Sequence, residues 1–465
     1  MSMRSYPSGL RRPPVPLVGD GALVRCADGT ERPYLSLDAA ASTAALEPVM
    51  NSVREFVPWY SSVHRGAGLK SQVSTRAYED ARAAALAFAG HGPGDDHVAI
   101  ICRNTTEALN HLAHSLRLEP SDVVVTTVAE HHANMLPWSR AATCRYIECG
   151  RDGMFSVSDV ESALDQRPSP RLLTITGASN ITGWMPPLTA IIAAAHERNI
   201  PVAVDAAQLA PHRPLPAEAD FLAWSGHKMY APFGAGVLTA PRRAFTDGEP
   251  FLVGGGAVDL VQLDEVLWTM PPDREEAGSP NVTGAVALHA AIDTLSQIGW
   301  PVLTSHERRI ATALRRGLAA IPGVGLLGPS PDTETLPVAT FTVEGVPHAL
   351  VAARLAAEEA IGVRHGCFCA HPYLMRLLGH TVEHVNRYRE QLSRGDRSDM
   401  PGAVRASAGI NTSEQDVTRL LHAVARIASG QPSPVRYTQD RHTGDFSPAQ
   451  SPSRAVVAEP GHVPA

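Results

Sequence analysis

Cysteine is scarce in this chain: Cys26, Cys102, Cys144, Cys149, Cys367 and Cys369 are the six in 465 residues. A disulfide framework needs a denser supply in a shorter chain, so none is expected. Long apolar runs are missing as well, and without one of about 18 residues no membrane-spanning helix is expected. Blocks of basic residues are absent too. The net charge of -7 is spread along the chain, which gives neither nucleic acid nor an anionic membrane surface an electrostatic footprint. The first sixteen residues, MSMRSYPSGLRRPPVP, lack the apolar core of a secretory signal. The composition therefore points to a cytoplasmic protein that handles a small molecule.

What the chain does have is 44% hydrophobic residues, enough over this length for a large core and two domains. Residues 1–16 and 431–465 are rich in Pro and Ser and poor in apolar side chains, so disorder is expected there, because burial cannot offset the ordering entropy. Between them, short apolar runs (HVAIIC, DVVVTTV, RLLTIT, PVAVDAA, DFLAWS) alternate with Ala-rich stretches such as TRAYEDARAAALAFAG. That alternation predicts an α/β fold, a parallel sheet with helices on both faces. Ligands of such sheets bind at the carboxyl ends of the strands.

Three predicted strand ends carry reactive side chains. PVAVDAAQ puts Asp205 and Gln208 after one strand. DFLAWSGHKMYAPFGAG puts Ser225, His227 and Lys228 after the next. HVAIICRNTTEALN puts Thr105 and Thr106 where a strand becomes a helix, and free N–H groups there suit an anion. A lysine that can form a Schiff base, an aspartate that keeps a pyridine nitrogen protonated, and a phosphate-binding helix start are the needs of a pyridoxal phosphate enzyme. Alone, Lys228 reads as a surface lysine and Asp205 as a helix cap; it is their joint occurrence that points to the cofactor.

From Tyr34 to Ala428 the chain also resembles a known family, the class V enzymes of pyridoxal phosphate fold-type I, in its cysteine desulfurase and selenocysteine lyase branch. YLSLDAAAS, SSVHRG, RNTTEALN, AEHHANMLPW, ASNITG, VDAAQLAPH, SGHKMYAPFGAG, GSPNVTG, VRHGCFCAHP and VRASAGINT carry the likeness. It implies a large cofactor domain over 34–294, with a mostly parallel seven-stranded sheet between helices, and a smaller α+β domain from 17–33 and 295–430. It implies that Lys228 binds pyridoxal 5'-phosphate, that Asp205 pairs with the ring nitrogen and Gln208 with the ring hydroxyl. His131 would stack on the ring, and Thr105, Thr106, Ser225 and His227 would hold the phosphate. Asn180 and Arg405 would receive an amino-acid substrate; Arg364, at a strand end, reads either as a solvated charge or as a further residue that binds that substrate. His132, Asn134 and Trp138 are expected to pack or hydrogen-bond. A homodimer is implied as well, with Ser279 of EEAGSPNVTG reaching the partner's phosphate.

The stretch VRHGCFCAHP has two cysteines one residue apart. Zinc needs more ligands than His365 and His371 add, so no metal is expected, and a Cys367–Cys369 disulfide would be a strained small ring. The resemblance makes Cys369 the nucleophile that takes sulfur from cysteine as a persulfide and passes it to an acceptor protein or small molecule. Cys367 stands where group II desulfurases have histidine, and Phe368 would be a spacer. Gly68, Ser279, His365, Cys367 and the insert 373–402 depart from the family pattern. They leave open an aminotransferase, an epimerase or a C–S lyase of a specialised biosynthetic pathway on the same scaffold. A third reading, a retired scaffold that only binds a sulfur-carrier partner, sits poorly with the intact lysine, aspartate and histidine.

Overall fold

A computed structural model describes residues 15–92 and 94–449. Its centre is a seven-stranded sheet in the order His97–Cys102, Gly236–Pro241, Phe221–Ser225, Val202–Asp205, Leu172–Thr176, Val123–Thr127, Thr143–Ile147. Only Gly236–Pro241 runs against its neighbours; the other pairings are parallel. The inner strands VVVTT, LLTIT, VAVD and FLAWS are buried at every residue. That burial explains why they read as continuous apolar runs rather than alternating ones: both faces are covered by helices.

A second, antiparallel sheet has the order Val324–Leu327, Val338–Val343, Ala403–Ser407, Arg364–Gly366. Its core holds Leu314, Phe341, Val351, Leu355, Val404 and Val424 together with Leu35 and Leu37 from the early part of the chain. The helix Glu414–Ala428 that packs here starts with a reciprocal capping box between Ser413 and Asp416, which satisfies donors that a helix start otherwise leaves unpaired. The short helix His371–Leu377, just after the two cysteines, instead sends Tyr373, Leu374 and Met375 into the core of the large sheet. The cysteine loop is thereby held between the two units. Among the described residues no helix is long and apolar enough to cross a membrane.

The expectation of disorder from 431 onward does not hold for 431–449. Tyr437–Gln439 and Phe446–Pro448 pair as an antiparallel hairpin, and Gly444, at φ +82°, donates to the Asp440 carbonyl at 2.7 Å in its turn. Polar ties fasten it: Gln439 Nε2 donates to the Ser398 carbonyl at 2.9 Å, Arg397 N to that of Arg441 at 2.8 Å, and Asp445 lies 3.4 Å from His365. Apolar composition misses such order because backbone pairing and side-chain hydrogen bonds supply it. Residues 1–14 and 450–465 lie outside the described residues. Truncation after Gly430 is expected to speed proteolytic cleavage within 394–402 several-fold, read by mass spectrometry of the fragments; an unchanged rate would mean that the hairpin does not hold that segment.

Candidate active site

Strand ends of the large sheet open into a cavity of about 300 Å³. Asp205 ends one strand and Ser225 the next, and Lys228 closes the tight turn Gly226–Lys228 immediately after it. The helix Thr105–Ser115 points its start at the same space, with Asn104 as its cap, the Oδ1 accepting from Glu107 N at 3.0 Å. Ser225 Oγ accepts from Thr105 N at 2.8 Å and shares a 2.6 Å hydrogen bond with the Thr105 hydroxyl. The N–H of Thr106, in the first helical turn, has no acceptor within the helix and remains available to an anion. Gly236 makes room for this cap: a Cβ there would fall 2.6 Å from Asn104 Cα.

Electrostatics at the centre are set by desolvation. Lys228 is drawn down to about 8, mainly by lost solvation, against the attraction of Asp205. Asp205 is buried and pushed up, again by desolvation. Its side chain makes one hydrogen bond among the described residues, accepting from Ala207 N at 3.0 Å, so one carboxylate oxygen is left for a cationic N–H. His131 is held down to about 4 by burial and then by the charge of Lys228. Its Nδ1 accepts from Ala133 N at 3.0 Å, which puts the proton of the neutral ring on Nε2. Gln208 lines the cavity and donates Nε2 to the Ala40 carbonyl at 2.7 Å. His227 lines it too, with Nδ1 3.3 Å from Ser42 Oγ.

The far wall is cationic. Arg405, buried, donates Nη1 to the Asn180 carbonyl at 3.0 Å and Nη2 to Asp38 Oδ1 at 3.1 Å; desolvation lowers it to about 10. Arg364, half exposed, takes the other oxygen of Asp38 at 2.8 Å. Asn180 spends its side-chain amide on the cysteine loop, donating to the Phe368 carbonyl at 2.7 Å. Cys369 is exposed at the rim of the cavity. Cys367 is partly buried, donates Sγ–H to the Pro401 carbonyl at 3.0 Å and is pushed up to about 11 by desolvation.

Twelve of the thirteen residues singled out from the sequence line this one cavity; Ser279 does not, and it is exposed in the single chain. Three neighbours were not singled out. Asp38 joins the two arginines, and its position in YLSLDAAAS was the available signal. Phe368, expected as a spacer, is buried with its ring centroid 5.0 Å from the Arg405 guanidinium. Glu130, buried beside His131, accepts from Thr127 Oγ1, Thr176 N and Asn134 Nδ2 and is pushed up to about 8 by desolvation.

A mostly parallel seven-stranded sheet with a desolvated lysine, an aspartate and a helix start at its strand ends defines a fold-type I enzyme of the class whose members use pyridoxal phosphate. The chain belongs to the class-V aminotransferase family, whose model matches residues 35–420, and within it to the cysteine desulfurases. It is 33% identical to a cysteine desulfurase of Cronobacter sakazakii over 409 residues, 85% of this chain and 94% of that protein. Two solved structures agree. The apo cysteine desulfurase of Thermococcus onnurineus NA1 gives a TM-score of 0.76 at 30% identity, covering 85% of this chain and 95% of that one. An S-sulfonic acid form of a cysteine desulfurase of Escherichia coli gives 0.72 at 30% identity with the same coverage.

The two thiols differ enough to be told apart chemically. At pH 8 a thiol with a pKa of about 11 is ionised in only about one molecule in a thousand. Brief treatment with iodoacetamide is expected to label Cys369 well before Cys367, read by peptide mass spectrometry. Equal labelling would contradict the buried, hydrogen-bonded placement of Cys367.

Proposed function

We propose that this chain is a pyridoxal phosphate-dependent cysteine desulfurase that takes sulfur from cysteine, or a closely related amino acid, onto Cys369 and releases alanine. The observation that carries the reading is that Cys369 shares one cavity with Lys228, Asp205 and Arg405. The residues fit the cofactor: the unsatisfied oxygen of buried Asp205 suits a pyridinium N–H, the Thr106 end of the helix suits a phosphate, and the lowered Lys228 suits a reaction with an aldehyde. Gln208 and His131 would flank the ring, with Ser225 and His227 on the phosphate side. When bound, pyridoxal phosphate supplies an electron sink for a carbanion at the substrate α-carbon.

The work of the chain itself follows from its side chains. Arg405 and Arg364 pair with the substrate carboxylate. Lys228, once its amine is free, takes the α-proton on Nζ; a desolvated amine suits that task because its pKa lies near neutral pH. The Cys369 thiolate then attacks the substrate sulfur. Its electron pair forms the S–S bond, the C–S bond breaks with its pair moving to the β-carbon, a proton is added there, and Lys228 Nζ returns the proton it took to the α-carbon, which completes alanine. The persulfide left on Cys369 passes its outer sulfur to a thiol-bearing protein or small molecule. Neutral His131, with its proton on Nε2, covers the ring without adding a second positive charge.

A homodimer belongs to the same reading. Ser279 lies outside its own cavity, and the nearby hairpin Val258–Trp268 exposes Leu260, Val261, Leu263 and Leu267. Apolar side chains grouped in this way favour burial against a second copy, which would bring Ser279 toward the partner's cavity.

Two tests follow. Adding pyridoxal phosphate to the apoprotein between pH 7 and 9 is expected to give cofactor absorption faster as the pH rises through about 8, where the Lys228 ammonium gives up its proton; Lys228→Ala should give none, and a flat profile would overturn the assignment. With cysteine, wild-type protein is expected to gain one sulfur on the Cys369 peptide, while Cys369→Ala still shows the spectral change of substrate binding but yields no alanine. Undiminished turnover in that variant would favour the aminotransferase, epimerase or lyase chemistry that needs no thiol.

A further inference from the structure

The loop bearing the proposed sulfur acceptor has a costly backbone. Phe368 and Cys369 are consecutive residues at φ +55° and +54°, a left-handed conformation that side-chain-bearing residues rarely adopt. Such a conformation persists only where its surroundings hold it. Two hydrogen bonds from the large domain do so: Asn180 Nδ2 to the Phe368 carbonyl, and His132 N to the Cys369 carbonyl, both at 2.7 Å.

The second of these has its own support. The His371 backbone N–H donates to His132 Nε2 at 3.3 Å, and His371 Nδ1 lies 3.2 Å from the same nitrogen. The two rings are parallel within 1°, with centroids 5.0 Å apart. This geometry fixes the protons. Because His132 Nε2 accepts from a backbone N–H, neutral His132 carries its proton on Nδ1, and His371 Nδ1–H is the second donor. Partial burial and the neighbouring His371 both favour the uncharged form of His132. His132 adjoins His131, so the same short segment meets the cofactor side of the cavity and the cysteine loop.

We propose that His132 and His371 are positioning residues for Cys369: their paired rings latch the cysteine loop to the segment that carries His131 and keep the thiol at the rim of the cavity while the substrate C–S bond is broken. The latch rests on the desulfurase reading for its purpose but not for its existence. Packing alone, the role the sequence implies for His132, would make His371, which is exposed, dispensable.

The test uses the holoenzyme. His371→Ala is expected to lower kcat for alanine release about tenfold with KM for cysteine within twofold, because substrate binding does not involve the latch. It should also change the rate at which N-ethylmaleimide modifies Cys369 at least threefold, and leave the melting temperature unchanged. His371→Phe, which keeps a ring and removes the donor, should behave like His371→Ala; His371→Asn, which keeps a side-chain N–H, should recover at least half of the lost kcat. A kcat within twofold of wild type in His371→Ala would overturn the proposal. So would a wild-type maleimide rate in both His371→Ala and His371→Phe, or full activity in His371→Phe. If the wild-type protein forms no persulfide from cysteine, the desulfurase reading fails, and the maleimide arm, which needs no turnover, still decides whether the latch exists.

Discussion

Arg364 and Arg405 stand directly opposite each other on adjacent antiparallel strands, and like charges in that relation repel. Asp38 makes the arrangement tenable by giving one carboxylate oxygen to each guanidinium. It comes from the segment just after Leu35–Ser36, which pairs with Ile361–Gly362 of the smaller unit, and it bridges to Ser407 beyond Arg405 on the same strand. One carboxylate thus brings the early part of the chain to the two strands that supply the cationic wall. Without it, desolvated Arg405 would face a second positive charge with only a carbonyl and an aromatic ring for company. The wall would then have no reason to hold its shape before a substrate carboxylate arrives.

The same logic of desolvation governs the opposite wall. Lys228, Asp205, His131 and Glu130 are all shifted toward their neutral forms by burial. A cofactor that brings a pyridinium proton and a phosphate would answer these charges in kind: the proton to Asp205, the phosphate to the helix start. The protein part of the site is therefore a set of half-satisfied polar groups whose missing partners share one shape. Half-satisfied burial is expensive in a core that only packs, and in a cavity it marks where a ligand belongs.

The cysteine loop obeys a third constraint. Its two thiols are one residue apart yet chemically unlike, because a left-handed turn at Phe368 and Cys369 sends one side chain to the cavity rim and leaves the other against Pro401. Phe368, between them, covers Arg405. Every residue of Cys-Phe-Cys therefore has a separate surrounding, and no metal or disulfide is needed to account for the pair.

The sequence by itself was enough for the α/β class, for the strands that end in Asp205 and Ser225, for Lys228, and, through a family likeness, for most of the residues that meet in the cavity. These are legible because each sits at a fixed offset from a buried strand, and a continuous apolar run followed by small and polar residues marks a strand end without reference to anything distant. Asp38, Phe368 and the pairing of His132 with His371 are another matter. The partners of Asp38 and His132 lie more than two hundred residues away in the chain, Phe368 meets its arginine only through the pairing of separate strands, and nothing local distinguishes a capping aspartate from one that holds two arginines apart. The hairpin of 437–448 was missed for the same reason, since its order comes from ties to 394–402 and to His365 rather than from its own composition. Only the tertiary structure could decide these points, because hydrogen bonds and ion pairs depend on distance in space, while sequence pattern reports burial and periodicity.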